Sequence, residues 1–433
     1  MTRTQHHIMS SAAASKRPSI PGAGPDSKRA RDAVQEPSFA EELAAQFTGS
    51  SSSDELNWVR PALPNLMPSR DSVVFQWLDI DVYDGEVLKE NPCRGASVPG
   101  AAKGIAPIFR MFGVTGSGNS ICAHIHGFTP YFWASPHPDM QAADVVSFQS
   151  ALEAQLAAQK QKSRVDKAVH AVELVPGKQS LLGFHHGRVQ NMLKIYVAMP
   201  SMVSAARGVL ERGFHCPGLS TKQYLCFEAN VPYELRYTID RGITGCNWCE
   251  APAGTYSMRQ TSRKVSTCQI EFDIVYDSLV THAPEGEWQR IAPLRILSFD
   301  IECMGRKGHF PEAENKETGG DPVIQIANVI TEQGSGTSTV RNVFTLDTCS
   351  PIVGASVLSF KTEGQMLEAW ARFVVESDPD LITGYNVQNF DIPYLINRMR
   401  VLKVDNAQIL GRIKGMKATM RDTTFQSGAY GKS

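Results

Sequence analysis

The sequence predicts a chain of mixed class, α+β over residues 56–285 and α/β over 286–433, preceded by a tail over 1–55. Three observations predict it. Short runs rich in β-branched and aromatic residues recur between 71 and 284, with helical periodicity only in places. From Pro293 onward, strand-like and helix-like patterns follow one another in an order that builds a layered sheet. The opening stretch has few large apolar groups. At 433 residues the chain is long enough for two or three domains of roughly 100–200 residues each.

The tail is rich in Ser, Ala, Pro and charged side chains, so it buries too little apolar surface to offset the entropy of ordering and is expected to be disordered. It carries two basic clusters, Lys16-Arg17-Pro18 and Lys28-Arg29-Ala30-Arg31. From local sequence alone these read equally as nuclear import signals or as solvated charge.

Between 56 and 285, runs at 73–82, 121–128, 193–197, 233–239 and 268–276 read as strands, and 144–161 and 203–211 read as helices. Phe128, Tyr131, Phe132 and Trp133 could stack on single-stranded bases, worth roughly 1–3 kcal/mol each. Around a strand and a turn, core packing is the stronger reading, because exposed aromatic surface without a partner is uncommon. His124 and His126 share one strand face, and two histidines without a third ligand make a poor metal site. Nine irregularly spaced cysteines fit reduced thiols better than a disulfide framework. Cys246 and Cys249 form a lone Cys-x-x-Cys, with His215, Cys216 and Cys268 only distant candidates, so no zinc is expected here.

The last part opens on a strand at 294–301, with neighbours at 323–330 and 342–346. A helix follows over 363–376, with Met366, Leu367, Trp370, Phe373 and Val374 on one face. A short strand at 381–383 and a helix over 392–402, with Leu395, Met399 and Leu402 inward, complete the layer. This order suits a ribonuclease H-like arrangement.

Chemistry enters at Asp300 and Glu302, which end the first of these strands. Alternate residues of a strand share a face, so the two carboxylates point to one side, while Ile301 and Cys303 point to the other. Like charges held together call for neutralisation, and hard oxygen donors suit Mg²⁺ or Mn²⁺ better than zinc. A third carboxylate, Asp391, follows the strand at 381–383 and a Gly/Asn-rich loop, at the start of a helix. In a ribonuclease H-like layer the first strand end and this loop come close, so Asp300, Glu302 and Asp391 are expected to converge on a two-ion site. Two such ions about 3.5–4 Å apart activate water and stabilise charge on a scissile phosphate. Asn386 and Phe390 are candidates to shape the pocket for a terminal nucleotide. The plainer readings are a loop-stabilising Asn, a core Phe and a capping Asp.

The segments Phe299-Asp300-Ile301-Glu302 and Gly384-Tyr385-Asn386 through Phe390-Asp391 resemble the first two 3′–5′ proofreading exonuclease motifs of family B DNA polymerases. Trp288–Arg295, Gly305–Gly308, Asp321–Ile326 and Arg421–Ser427 are similar to the delta-type branch of that family, and the likeness runs over roughly residues 55–433. The resemblance implies a replicative DNA-directed DNA polymerase with a proofreading exonuclease and a two-ion Mg²⁺ or Mn²⁺ site. It implies a DNA primer-template and single-stranded 3′ end as substrates, accessory subunits and a sliding clamp as partners, and the nucleus as location, to which the tail's basic clusters would contribute. For residues 56–285 it implies a domain packed against the exonuclease and along the template. The third exonuclease motif, Tyr-x-x-x-Asp, has no match among Tyr385, Tyr394 and Tyr430, and no Tyr-Gly-Asp-Thr-Asp palm element occurs. The exonuclease domain is therefore expected to be incomplete and the isolated polypeptide to be inactive or nearly so. A stand-alone exonuclease and a non-catalytic nucleic-acid-binding scaffold are the competing readings.

A net charge of −1 excludes recognition of phosphates by bulk charge, leaving only local grooves. No run of about 18 apolar residues is present, so no membrane partner is expected.

Overall fold

A computed structural model of the chain describes residues 58–87, 99–101, 103–157, 165–179, 181, 186–315 and 317–420, together with 426–427 and 431–432. The tail with its two basic clusters, and most of the Arg421–Ser427 segment, lie outside the described residues. Residues 53–433 form one contact unit, and the boundary expected at 285/286 falls within it.

The first sheet has seven strands in the order β11-β8-β1-β2-β3-β10-β9. They are β1 (Val73–Glu86), β2 (Ile105–Thr115), β3 (Ser120–His126), β8 (Trp248–Ala251), β9 (Tyr256–Met258), β10 (Ile270–Val275) and β11 (Val280–Thr281). A second sheet, β5-β6-β4-β7, is built from β4 (Tyr131–Ala134), β5 (Val169–Gln179), β6 (Val189–Val197) and β7 (Cys226–Phe227). Helices α1 (Val145–Leu156) and α2 (Pro200–Arg212) pack on it around Phe148, Leu152, Val209 and Phe214. Phe128, Tyr131, Phe132 and Trp133 are all buried, as core packing requires.

One predicted strand is a helix. The 233–239 run is not a strand but the start of α3 (Tyr233–Arg241), which closes on Gly242 in the left-handed conformation. Its aromatic and β-branched content suggested a strand. Tyr233 and Tyr237, four apart on one helical face, instead both stack on Phe109, with ring centroids at 4.5 and 4.7 Å.

The third sheet, order β15-β14-β13-β12-β16, carries the acidic residues. Strand β12 (Arg295–Cys303) runs antiparallel to β13 (Val323–Glu332), which pairs antiparallel with β14 (Ser338–Leu346). Strand β15 (Ser356–Phe360), absent from the predicted elements, adds parallel to β14. On the other side of β12 lies β16 (Leu381–Thr383), also parallel, with Ile296 opposite Leu381 and Ser298 opposite Thr383. Leu297, Phe299 and Ile301 face a core shared with Trp370 and Phe373 of α4 (Glu363–Ser377) and Leu395 of α5 (Asp391–Val401). Thr362 caps α4 by accepting a hydrogen bond from the Gln365 N–H.

Candidate functional site

The core-facing alternation of β12 leaves Asp300 and Glu302 exposed on its opposite face, as the period of two requires. Immediately after Glu302 the pairing with β13 shifts by one residue, because Glu302 faces Gln325 while Cys303 faces Val323. Such a bulge bends the strand and re-aims its side chains where the ladder ends.

Strand β16 covers β12 only as far as Ser298, so the backbone of the acidic end has no strand partner on that side. The chain turns away at Gly384, where an added Cβ would lie 2.4 Å from the Phe299 carbonyl oxygen and 2.3 Å from Val387 Cγ1. Only glycine permits that approach. Asn386 then adopts φ 56°, and its carbonyl accepts from the N–H groups of Asn389 (3.0 Å) and Phe390 (3.1 Å), closing the turn into α5.

Asp391, the first residue of α5, is 2% exposed. Its Oδ1 accepts a hydrogen bond from the Ile301 backbone N–H at 3.2 Å, taking the strand position that β16 leaves open. The third carboxylate thus docks on the backbone between the two strand carboxylates. Burial pushes the Asp391 carboxyl above its ordinary value, and the Asp300 charge adds to that rise.

Asn386 is exposed, and its side chain accepts a hydrogen bond from Asn389 Nδ2 at 2.9 Å, which is the loop-stabilising role. Phe390 is half-buried between Tyr394 of α5 and Phe310, with ring centroids at 5.5 and 5.3 Å. Phe310, 74% exposed on the loop between β12 and β13, was not singled out from sequence, since nothing in its local pattern sets it apart. Tyr385 next to the Gly384 turn is 92% exposed.

A buried pair fixes α5. Arg398 donates to both carboxylate oxygens of Glu363 at the start of α4, while Glu363 Oε1 also accepts from the Val323 N–H at 2.9 Å. Arg398 further donates to the carbonyls of Ala313 and Gly319, holding the β12–β13 loop against the same helix.

Among the described residues, one group of three metal-type donor atoms lies within 4.8 Å of one another: Cys122, His124 and Glu271. It is fully buried, and its polar atoms are engaged in hydrogen bonds: Glu271 pairs with His124 Nε2 (3.0 Å) and accepts from the N–H groups of Val265 and Ser266 and from the Ser266 hydroxyl. His126 does not join it, pairing instead with Asp273 at 2.7 Å. Cys246 is exposed and Cys249 buried, and neither belongs to such a group.

A five-stranded mixed sheet in which an inner strand, β12, ends in two exposed carboxylates, with a third docked on its backbone from a strand–loop–helix junction, defines an exonuclease-type α/β layer. The sequence comparisons give the family. Residues 224–433 match the exonuclease domain of DNA polymerase family B, and residues 127–204 match the N-terminal domain of DNA polymerase delta catalytic subunit-like proteins. Over residues 224–433 the chain is therefore a family B exonuclease-type domain. It is 48% identical over 376 residues to the DNA polymerase delta catalytic subunit of Oryza sativa subsp. japonica, covering 86% of this chain and 33% of that protein. The subunit of Mesocricetus auratus is 44% identical over 377 residues (87% and 33%), and that of Schizosaccharomyces pombe 38% over 420 residues (94% and 35%). The chain spans about a third of the length of these relatives.

Proposed function

We propose that Asp300, Glu302 and Asp391 hold two hard divalent cations, Mg²⁺ or Mn²⁺, and that this site hydrolyses the terminal phosphodiester of a DNA 3′ end. The hydrogen bond from Ile301 N–H to Asp391 supports the reading, because it docks the Asp391 carboxylate on the backbone between Asp300 and Glu302. The donor set fits the ions. All three donors are hard oxygens, and the carboxyl of Asp391 is pushed up where no cation offsets its burial and the Asp300 charge. Among the described residues the three carboxylates do not form a group of donor atoms within 4.8 Å of one another, so binding would draw them together around the ions.

When bound, such ions activate a water and stabilise the developing charge on phosphate and leaving oxygen. The chain's own part is to hold the acceptors still. Asp300 and Glu302 are fixed by the β12–β13 ladder, and Asp391 by the Ile301 N–H. Asn386 and Phe390 would border the terminal nucleotide, the half-buried Phe390 ring, backed by Phe310 and Tyr394, offering an apolar wall to its base or sugar. Asp300 would be the shared ligand, Glu302 and Asp391 the outer ones.

In the complete polypeptide this site would proofread for a delta-type replicative polymerase acting on primer-template DNA in the nucleus, with accessory subunits and a sliding clamp. The isolated 433-residue chain would lack primer extension and most or all trimming, because its sequence has neither the palm element nor the third exonuclease motif. Residues 56–285 and 286–433 would act as two domains, each with its own main core, although Trp58 and Ala292 pack across the boundary. The test is trimming of a labelled single-stranded 3′ end by the complete polypeptide in Mg²⁺. Asp300→Ala should slow it by on the order of 10²–10³, and undiminished trimming refutes the assignment.

A further inference from the structure

We infer that Asp380 is a positioning residue for the carboxylate site, setting the register of β16 against β12 through its two hydrogen bonds to the Arg295 backbone, made within a buried arginine cluster; this rests on the nuclease reading above. Strand β16 cannot set its own register. It has three residues, and Leu381 and Ile382 remain 44% and 40% exposed. Yet its register decides where Gly384 meets Phe299, and therefore where the loop delivers Asp391. A one-residue slip would move that junction by about 3.3 Å, far outside hydrogen-bond tolerance at Ile301.

Asp380 directly precedes β16, and its side chain is fully buried. It holds both backbone polar groups of the first residue of β12: its Oδ2 accepts from the Arg295 N–H at 2.7 Å, and its own N–H donates to the Arg295 carbonyl at 2.8 Å. Its Oδ1 accepts from Arg60 Nη2 and Arg412 Nη2, both at 2.6 Å. These two arginines come from opposite ends of the described chain and also pair with Asp378, at 2.7 and 2.6 Å. Arg412 belongs to the segment that bridges Ser266 of the N-terminal part through Ile413. The clasp therefore joins three distant stretches at the one point where β12 and β16 begin side by side.

Charge and acceptor capacity are both needed there. Asparagine would keep the shape but place an NH₂ group toward either the Arg295 N–H or the two guanidiniums, setting donor against donor. Asp380→Asn should therefore loosen β16 without touching any group that faces the DNA.

The test uses the complete polypeptide, with 3′ trimming followed against Mn²⁺ concentration and backbone amide exchange measured over 296–298. Asp380→Asn should lower the maximal rate by about tenfold to hundredfold, raise the Mn²⁺ midpoint several-fold and speed exchange in β12, with KM for the DNA end unchanged. Arg60→Gln, which leaves the Asp380–Arg295 clasp in place, should lower Tm without moving the Mn²⁺ midpoint. An unshifted midpoint in folded Asp380→Asn, or an equal shift in Arg60→Gln, overturns the inference. Asp380→Ser, too short to hold Arg295 and both arginines, carries the same expectation, and failure of both Asp380 variants to fold assigns Asp380 to folding alone and also overturns it. Trimming that survives Asp300→Ala instead overturns the nuclease reading on which the inference rests.

Discussion

The carboxylate of Asp391 accepts the backbone N–H of Ile301 at 3.2 Å, so a residue ninety positions downstream completes the edge of β12 between Asp300 and Glu302. The contact joins fold and site: it gives the strand end a partner that β16 does not supply, and it fixes the third carboxylate on the backbone that carries the other two.

Asp391→Asn keeps an acceptor for Ile301 but removes a buried charge that Asp300 opposes. The variant should be more stable than the parent in metal-free buffer at neutral pH, with Tm higher by roughly 1–3 °C, while losing divalent-ion binding. Thermal unfolding in EDTA, then in Mn²⁺, checks this. A lower Tm in EDTA would show that the charge is not disfavoured.

The raised Asp391 carboxyl has a definite pH consequence. The native state binds its proton more readily than the unfolded chain, so this group makes metal-free stability fall as pH rises from the ordinary carboxyl range through its raised folded value. Metal must displace that proton, so Mn²⁺ affinity should weaken as pH falls through the same window. Titration calorimetry at several pH values should show proton release on Mn²⁺ binding to the parent, growing as pH falls into that window, and no binding heat with Asp391→Asn.

Gly384→Ala would set a methyl group against the Phe299 carbonyl and Val387. The expected cost is about 1–3 kcal/mol, with a shift of the loop that carries Asn386. Denaturant unfolding measures the first, and trimming by the complete polypeptide reports the second.

Breaking the Arg398–Glu363 pair by Glu363→Ala leaves a buried guanidinium without its counter-charge and the Val323 N–H without its acceptor. Stability should drop by about 3–5 kcal/mol, read by urea midpoint. A loss below 1 kcal/mol would mean water replaces Glu363 there.

Away from the site, burial holds the His124 imidazole below its usual value, while hydrogen bonds from His124 and Ser266 hold the Glu271 carboxyl below its own. Both groups bind fewer protons when folded. Their contribution is full above about pH 6.5, the unfolded His value, and is lost progressively as pH falls below that, then below about 4.3, the unfolded Glu value. Glu271→Gln should flatten the lower part of that Tm-against-pH curve.

Much of the acidic layer was legible in the sequence because its signals are local. The period of two in β12, the helical face of α4 and the loop before Asp391 all fall within short windows, and the observed bounds of β16 agree with the prediction. What escaped depends on distant partners. The 233–239 run looks like a strand until Phe109 supplies the face on which Tyr233 and Tyr237 stack. Strand β15 is short, and among the described residues it pairs with β14 alone. The cluster of Arg60, Asp378, Asp380 and Arg412 joins residues more than three hundred positions apart, and no local pattern marks it.

The most direct measurement is anomalous diffraction from crystals of this chain soaked in Mn²⁺. The account predicts manganese peaks bounded by the carboxylates of Asp300, Glu302 and Asp391, lost in Asp300→Ala. Manganese absent from that face, or bound there equally well without the Asp300 carboxylate, would contradict it.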